Sequence, residues 1–445
     1  MHRAITAALE PFPTRLDEAL GRFPSPGLNA AALVGDEVVW QYATGVARFG
    51  PRAALTAAHL HRIGSITKLF TAHAVMILHD RGRIDIDTPV SAYLPWFRPA
   101  GHRVTIRHVL CHGSGIAAEG GTDAWGSGEF PDDAAFRALF ATLEPAIPPM
   151  CQVKYSNAAY SMLGYLIEAA SGVPYEAFVQ AEILDRLGMR ETAFHLSDAQ
   201  RAVFAQGHFM PPFERRFAPT PHQELRSFTA CGMLASTPRD LLRFARQHWS
   251  PAADALVRPD TRDEMRRVQL MDTSTPGWHS AFGLGWRLVR RGERVFVGHG
   301  GSYLGNSCAL ELDPDREVAV ALFANRGGVE GLVDLALALT EELADAAGAA
   351  MEPPVPDDTP PPAALRPFLG TYAMDGWFTA VVTFARGTLW LQMQGGPPVP
   401  LEPLTEGRLR ITRDRNRGED VVAEAHGEDG RVATIRVAGG RMHRI

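Results

Sequence analysis

Residues 62–68 read Arg62-Ile63-Gly64-Ser65-Ile66-Thr67-Lys68, and Leu69, Phe70, Val75, Met76 and Leu78 follow. Those apolar positions fill most of a helix circumference, so the pattern predicts a helix from Ser65 that is buried on nearly all sides. Ser65 and Lys68 are three residues apart and share one helical face, so hydroxyl and amine can touch. A helix starting at Ser65 also aims free backbone N–H groups and its positive dipole end at that spot. A neutral lysine there can take the serine proton and create a nucleophile. The lysine count strengthens this reading. Of 44 basic residues only Lys68 and Lys154 are lysine, and the other 42 are arginine. Lysine can lose its proton near neutral pH when desolvated, whereas arginine cannot. No other serine in the chain has a lysine three residues on.

Working outward, Leu28 to Val34 and Glu37 to Ala43 are apolar, β-branched runs split by Gly35-Asp36, which predicts a hairpin after an N-terminal helix. Residues 83 to about 250 are mainly helical with long loops, and Thr237-Pro238-Arg239-Asp240 starts a helix with Thr237 as its cap. Strand patterns return at Gly285–Val289, Arg294–Gly298, Ser307–Leu312 and Val318–Ala324, followed by an Ala/Leu-rich helix over 329–349. Sheet elements at both ends of a helical middle describe an α/β sheet with an inserted helical subdomain at about 65–250, in a first domain of residues 1–350. Six of the ten residues from Pro353 to Pro362 are proline, which predicts a stiff linker over 351–365. Residues 366–445 carry short alternating runs, among them Phe378–Phe384, Thr388–Gln394, Arg408–Thr412, Asp420–Ala425 and Val432–Val437, and predict a small antiparallel β-barrel.

Composition narrows the function. The chain has 445 residues, 46% hydrophobic and 21% charged, with a net charge of -6. That excludes disorder, and it argues against nucleic acid as a partner, because no basic excess exists to neutralise phosphates. No run of about 18 apolar residues predicts a membrane helix. The N-terminus shows no signal-peptide pattern, and the expected location is cytoplasmic. Cys111, Cys151, Cys231 and Cys308 are scattered, and the histidines show no ligand spacing, so no metal or other cofactor is expected.

Two further groups carry chemistry. Tyr155-Ser156-Asn157 follows Lys154 before a helix at Ala158, with Asn157 placed to cap it. A phenol can relay a proton when a neighbouring ammonium favours its ionised form. Lys154 itself reads as solvent-facing or ion-paired. His299-Gly300-Gly301-Ser302 lies on a strand expected near the sheet's edge, where the glycines let a substrate approach the backbone and a free N–H can receive an oxyanion.

Together and in this order, the three groups resemble the class C β-lactamase and penicillin-binding-protein superfamily of active-site serine enzymes, which carries Ser-x-x-Lys, Tyr-x-Asn and then Lys-Thr-Gly or His-x-Gly. Arg62 to Lys68, Thr105 to Gly115 and Phe282 to Trp286 are similar to scaffold segments of that family. The resemblance implies a β-lactamase/transpeptidase-like α/β fold with a lipocalin-like appended barrel. It implies Ser65 as nucleophile, Lys68 and Tyr155 sharing the general-base and proton-return duty, and Asn157 orienting Lys68 and bonding substrate. The oxyanion hole is the backbone N–H of Ser65 and of Ser302, with His299, Gly300 and Gly301 along the substrate. His112 belongs to a segment the family uses as a structural turn. His299 stands where a β-lactamase has lysine, and a histidine is only partly charged at pH 7.

Within the family, a chain without an export signal and with one short barrel resembles the penicillin-binding-protein-type thioesterases. These take a peptidyl thioester with a C-terminal D-residue onto the serine and let the peptide's own N-terminal amine close a ring. The implied partners are a small-molecule or peptidyl thioester substrate and a peptidyl carrier protein. By the same resemblance an arginine near the chain end, Arg441 or Arg444, grips the acyl region. A D-aminopeptidase, carboxypeptidase or esterase of the same fold is the alternative, with a β-lactamase and a non-catalytic binding protein as lesser ones.

Overall fold

Gly35, at φ +59°, turns the chain between β1 (Gly27–Val34) and β2 (Glu37–Phe49), and β3 (Arg52–Ala54) adds to the outer side of β2. The chain then leaves the sheet for some two hundred residues. It returns as β4 (Leu270–Met271), β5 (Ser280–Phe282), β6 (Arg287–Arg291), β7 (Arg294–Tyr303), β8 (Asn306–Asp313) and β9 (Val318–Ala324). Among the described residues these form one antiparallel sheet of nine strands in the order β3-β2-β1-β9-β8-β7-β6-β5-β4. The first and last strands in sequence pair within it as third and fourth of the nine, Leu28 opposite Ala324 and Val34 opposite Val318. This computed structural model describes residues 2–445 apart from 23, 100, 212–213, 215, 222, 251–254, 275–276, 278, 351–359, 375–377, 386, 397, 406 and 413–415.

Strand alternation sorts the core into two layers. Leu28, Ala30 and Ala32 of β1, with Val318, Val320 and Leu322 of β9, pack against α1 (His2–Leu9), α2 (Phe12–Arg22) and the helix at Leu332–Ala350. Ala31, Leu33, Ala319, Ala321 and Phe323 face the other way, onto the inserted helices. Among these, α3 (Thr67–Asp80) is buried from Thr67 to Leu78, as its apolar circumference predicts. Each fully buried Leu, Val or Phe there contributes roughly 1.5–3 kcal/mol. Thr237 caps the helix at Pro238–Ala245, its side chain accepting from the Asp240 N–H, as expected.

Two local expectations are corrected. Ser65 sits in a short 3₁₀ turn, Gly64–Ile66, that runs directly into α3, rather than in the α-helix itself. The cap before α4 (Asn157–Ser171) is Ser156, whose Oγ accepts from Ala159 N–H, and Asn157 is the first helical residue. The strand bearing His299, β7, is sixth of nine in the sheet, but from His299 onward it has no strand partner on the β6 side among the described residues, so this stretch forms a local edge.

The chain divides into two units, Met1–Ala347 and Gly348–Ile445. In the second, among the described residues, eight antiparallel strands close a barrel, the first (Gly370–Met374) pairing with the last (Gly440–Arg444) through Tyr372 and Arg444. Its interior is filled by Tyr372, Val382, Leu391, Leu401, Ile435 and their neighbours. Three of its strands escaped the sequence pattern, Gly370–Met374, Pro398–Thr405 and Gly440–Arg444. Prolines at 398, 400 and 403 hide the second, because proline cannot donate to a ladder. Of the linker expected over 351–365, residues 351–359 lie outside the described residues. Among the described residues no helix is long and apolar enough to cross a membrane.

Candidate active site

From His59 to Leu78 every residue is buried except Ser65. The 3₁₀ turn therefore lifts one hydroxyl out of the core. Lys68, one turn on, is fully buried. Its Nζ lies 3.0 Å from Ser65 Oγ, 2.7 Å from Asn157 Oδ1 and 2.9 Å from the Cys231 carbonyl. Three acceptors match the three protons of an ammonium. Two of them, an amide oxygen and a carbonyl, can only accept. The hydroxyl can reverse, donating to the nitrogen lone pair, and that reversal is the geometry of serine deprotonation.

Asn157 is held from both ends. While Oδ1 takes the Lys68 bond, Nδ2 donates to Glu119 Oε1 at 2.8 Å. The other Glu119 oxygen accepts the Trp125 indole N–H. Tyr155, just before the cap, stacks on His112 with ring centroids 4.1 Å apart, and Lys68 Nζ stands 4.9 Å from the Tyr155 ring. His112 adopts φ +57° and accepts the Ser156 N–H on Nδ1 at 3.3 Å. It thus props the Tyr155 segment, a structural part as expected. Burial, then the Lys68 charge, hold its imidazole well below the usual histidine range.

The third group comes from β7. Leu304 and Gly305, at φ +47° and +69°, make the two-residue turn into β8, closed by the pair Tyr303 and Asn306. Such a hairpin closes on a hydrogen-bonded pair, and bonded and non-bonded pairs then alternate. Ser302 opposite Ser307 is therefore a non-bonded pair, and the Ser302 N–H points away from β8. On that side β6 pairs no further along than Gly298. The turn at Gly64 occupies the gap: a Cβ on Gly64 would stand 2.6 Å from Ser302 N, and one on Gly301 3.1 Å from Ser65 N. These two approaches seat the turn that carries Ser65 directly against β7 at Gly301 and Ser302.

His299 departs from expectation. It is buried, and burial first, then Lys68 and Arg287, push its pKa down to about 3. It is neutral, not partly charged, at pH 7. Nδ1 faces the Gly300 carbonyl at 2.5 Å, so this nitrogen carries the proton, and buried Nε2 is an acceptor without a hydrogen-bond partner among the described residues. The two glycines are closely approached by other segments. A Cβ on Gly301 would meet the Ile63 carbonyl at 1.9 Å, and one on Gly300 would meet Val333 Cγ2 at 2.8 Å. Their missing side chains admit neighbouring segments of the protein.

Within the barrel, the Arg444 guanidinium bonds the carbonyls of Pro367, Leu369 and Val432 and the Tyr372 hydroxyl, which commits it to the barrel wall. Arg441 is exposed and pairs with Glu424 at 2.6 Å. Sequence reading missed Glu119, Trp125 and the Cys231 carbonyl. Glu119 meets its partner Asn157 across 38 residues, and no local pattern marks it.

Beside these groups, a cavity of about 840 Å³ is lined by Asp123, Glu129, Asp132, Gln223, Glu224 and Arg226, among others. It adjoins β7, since the Tyr303 hydroxyl bonds the Gln223 carbonyl and the Tyr303 ring meets Trp125 at 5.7 Å.

The sequence matches the family described as Beta-lactamase over residues 16–345. It is 30% identical over 373 residues to penicillin-binding protein 4 of Amycolatopsis lactamdurans, covering 79% of this chain and 94% of that protein. It is 26% identical over 251 residues to the D-alanyl-D-alanine-carboxypeptidase/endopeptidase AmpH of Escherichia coli (strain K12), covering 51% of this chain and 60% of the other. The crystal structure of SurE superposes with a TM-score of 0.62 at 26% identity, covering 99% of this chain and 100% of that one, and SurE has also been solved with D-Leu.

Proposed function

The chain belongs to the beta-lactamase family of serine hydrolases and acyltransferases, and on that premise we propose that it cyclises a peptidyl thioester whose acyl end is a D-residue. Ser65 Oγ attacks the thioester carbonyl, and its proton passes to the Lys68–Tyr155 pair. The thiolate leaves and takes that proton. The peptide's own N-terminal amine then attacks the acyl carbon. As the Ser65 ester bond breaks, the proton shed by the amine returns through the same pair to Ser65 Oγ. The N–H groups of Ser65 and Ser302 hold the oxyanion in both halves.

One observation carries the choice of substrate: the neutral, buried His299. A β-lactam, or a peptide recognised by its terminal carboxylate, needs a cation beside this strand. His299 supplies none, and the three protons of Lys68 are already donated to Ser65, Asn157 and the Cys231 carbonyl. A thioester carries no charge there and loses nothing. The D-residue is supported by the D-alanyl-D-alanine-carboxypeptidase relative and by the SurE structure with D-Leu. The cavity by Tyr303 offers room for a folded peptide chain. A peptidyl carrier protein is the donor that delivers such a thioester.

The test uses a synthetic peptidyl thioester with a terminal D-residue, its L-epimer, and benzylpenicillin. Mass spectrometry separates the ring from the linear acid, which is heavier by one water. The expected result is ring from the D-substrate alone and negligible penicillin turnover. Linear acid only would make the protein a hydrolase, the reading the carboxypeptidase relative favours. Faster penicillin turnover would overturn the argument from His299.

A further inference from the structure

We infer that Glu119 is a positioning residue that sets the catalytic Asn157 amide and the Trp125 indole with the two oxygens of one carboxylate. The inference rests on the proposed function only in requiring that Ser65 be acylated.

An asparagine side chain can flip end for end, exchanging a carbonyl for an NH₂ at small cost when its neighbours are indifferent. Here neither neighbour is indifferent. Flipped, the amide would set its NH₂ against Lys68 Nζ, 2.7 Å away, and its oxygen against the Glu119 carboxylate, 2.8 Å away. One flip loses two charge-assisted hydrogen bonds and creates two repulsions. The chain Lys68–Asn157–Glu119 therefore admits one orientation. In it Asn157 presents a second Nδ2–H that Glu119 Oε1 does not take, a donor for a substrate carbonyl. A neutral acceptor in place of Glu119 would hold Nδ2 less firmly, and an apolar residue would leave the flip open.

The second oxygen does separate work. Glu119 Oε2 accepts the indole N–H of Trp125. Trp125 is partly exposed and stands edge-on to Phe130 at 5.0 Å and to Tyr303 at 5.7 Å. Tyr303 follows Ser302 directly. A single side chain thus ties the residue that orients the base to an aromatic wall beside the oxyanion donor, and Glu119→Gln splits the two ties. The glutamine oxygen can still accept from Asn157, but its NH₂ would face the indole N–H donor to donor.

The experiment measures kcat and KM with a small activated ester and with a peptidyl thioester. Glu119→Ala is expected to lower kcat 10- to 100-fold on both. Glu119→Gln should recover most of that kcat while KM for the peptidyl substrate stays raised several-fold. In the Asn157→Ala background Glu119→Ala should cost nothing further in kcat, because it acts through Asn157. Wild-type kcat in Glu119→Ala, or additive losses in the double variant, would overturn the inference. If Glu119→Ala does not fold, Glu119→Gln with kcat as low as that of Asn157→Ala would overturn it as well. The small ester reports Ser65 chemistry whatever the natural substrate, so failure to cyclise the peptide leaves this result standing.

Discussion

Gly64 and Ser302 face each other so closely that a Cβ on Gly64 would stand 2.6 Å from the Ser302 nitrogen. Gly64 also holds φ +50°, where an L side chain is strained. The turn at Gly64–Ile66 and β7 come from opposite ends of the first unit, and the absence of one methyl group lets them approach this closely.

Gly64→Ala should therefore force the turn away from β7. With one donor displaced, kcat on a small activated ester is expected to fall 10²- to 10³-fold. Thermal unfolding, measured alongside, should show a folded but less stable protein. A folded Gly64→Ala with wild-type kcat would contradict the placement of the oxyanion between Ser65 and Ser302.

Lys68→Arg should be as inactive as Lys68→Ala. Arginine keeps a charge but cannot accept the Ser65 proton, and its fork does not fit three acceptors gathered about one nitrogen. Lys154→Arg should retain near wild-type rates. Should Lys68→Arg keep more than about a tenth of the rate, a cost under roughly 1.4 kcal/mol, lysine is not the base.

Stability should fall as the solution is acidified from pH 7 to pH 5. Burial is the first cause that pushes His61 and His299 down to about 3 and His73 down to about 4, against 6.5 ordinarily. Below about pH 6.5 the unfolded chain takes protons that the native protein refuses until near pH 3–4. The native state is thus fully favoured above 6.5 and loses about 1.4 kcal/mol per pH unit for each such histidine. Asp240 and Glu311, raised by burial, work in the opposite direction at lower pH and offset part of the loss. Urea midpoints at pH 7, 6 and 5 measure the balance; a midpoint rising toward pH 5 would refute it.

The two C-terminal arginines should separate cleanly. Arg444→Ala strips four hydrogen bonds from the barrel wall and should cost on the order of 2–3 kcal/mol of barrel stability. Arg441→Ala, at an exposed ion pair, should leave stability within about 0.5 kcal/mol. Any loss of cyclisation in Arg441→Ala with small-ester turnover intact would then assign it to substrate. Equal loss of both activities would mean that it serves the fold.

Much of this was legible along the chain, because the information was local. The Ser65–Lys68 pair needed only helical spacing and a count of lysines. The strands at 28–34 and 318–324 needed only an apolar run and a turn residue, since a strand buried on both faces is apolar at nearly every position, Asn29 being the exception. The barrel's existence followed from alternation, although three of its strands lay below the pattern.

Tertiary structure decided the rest. Sequence determined that Ser65 and Lys68 share a face, and that tyrosine, asparagine and histidine groups accompany them. It could not show that Glu119 grips Asn157, that His299 is held neutral, or that Gly300 and Gly301 admit Val333 and Ile63. These depend on burial and on contacts between segments far apart in the chain. A residue's charge and partners are set by what the fold packs around it, and hydrophobic period or motif spacing carries no record of that.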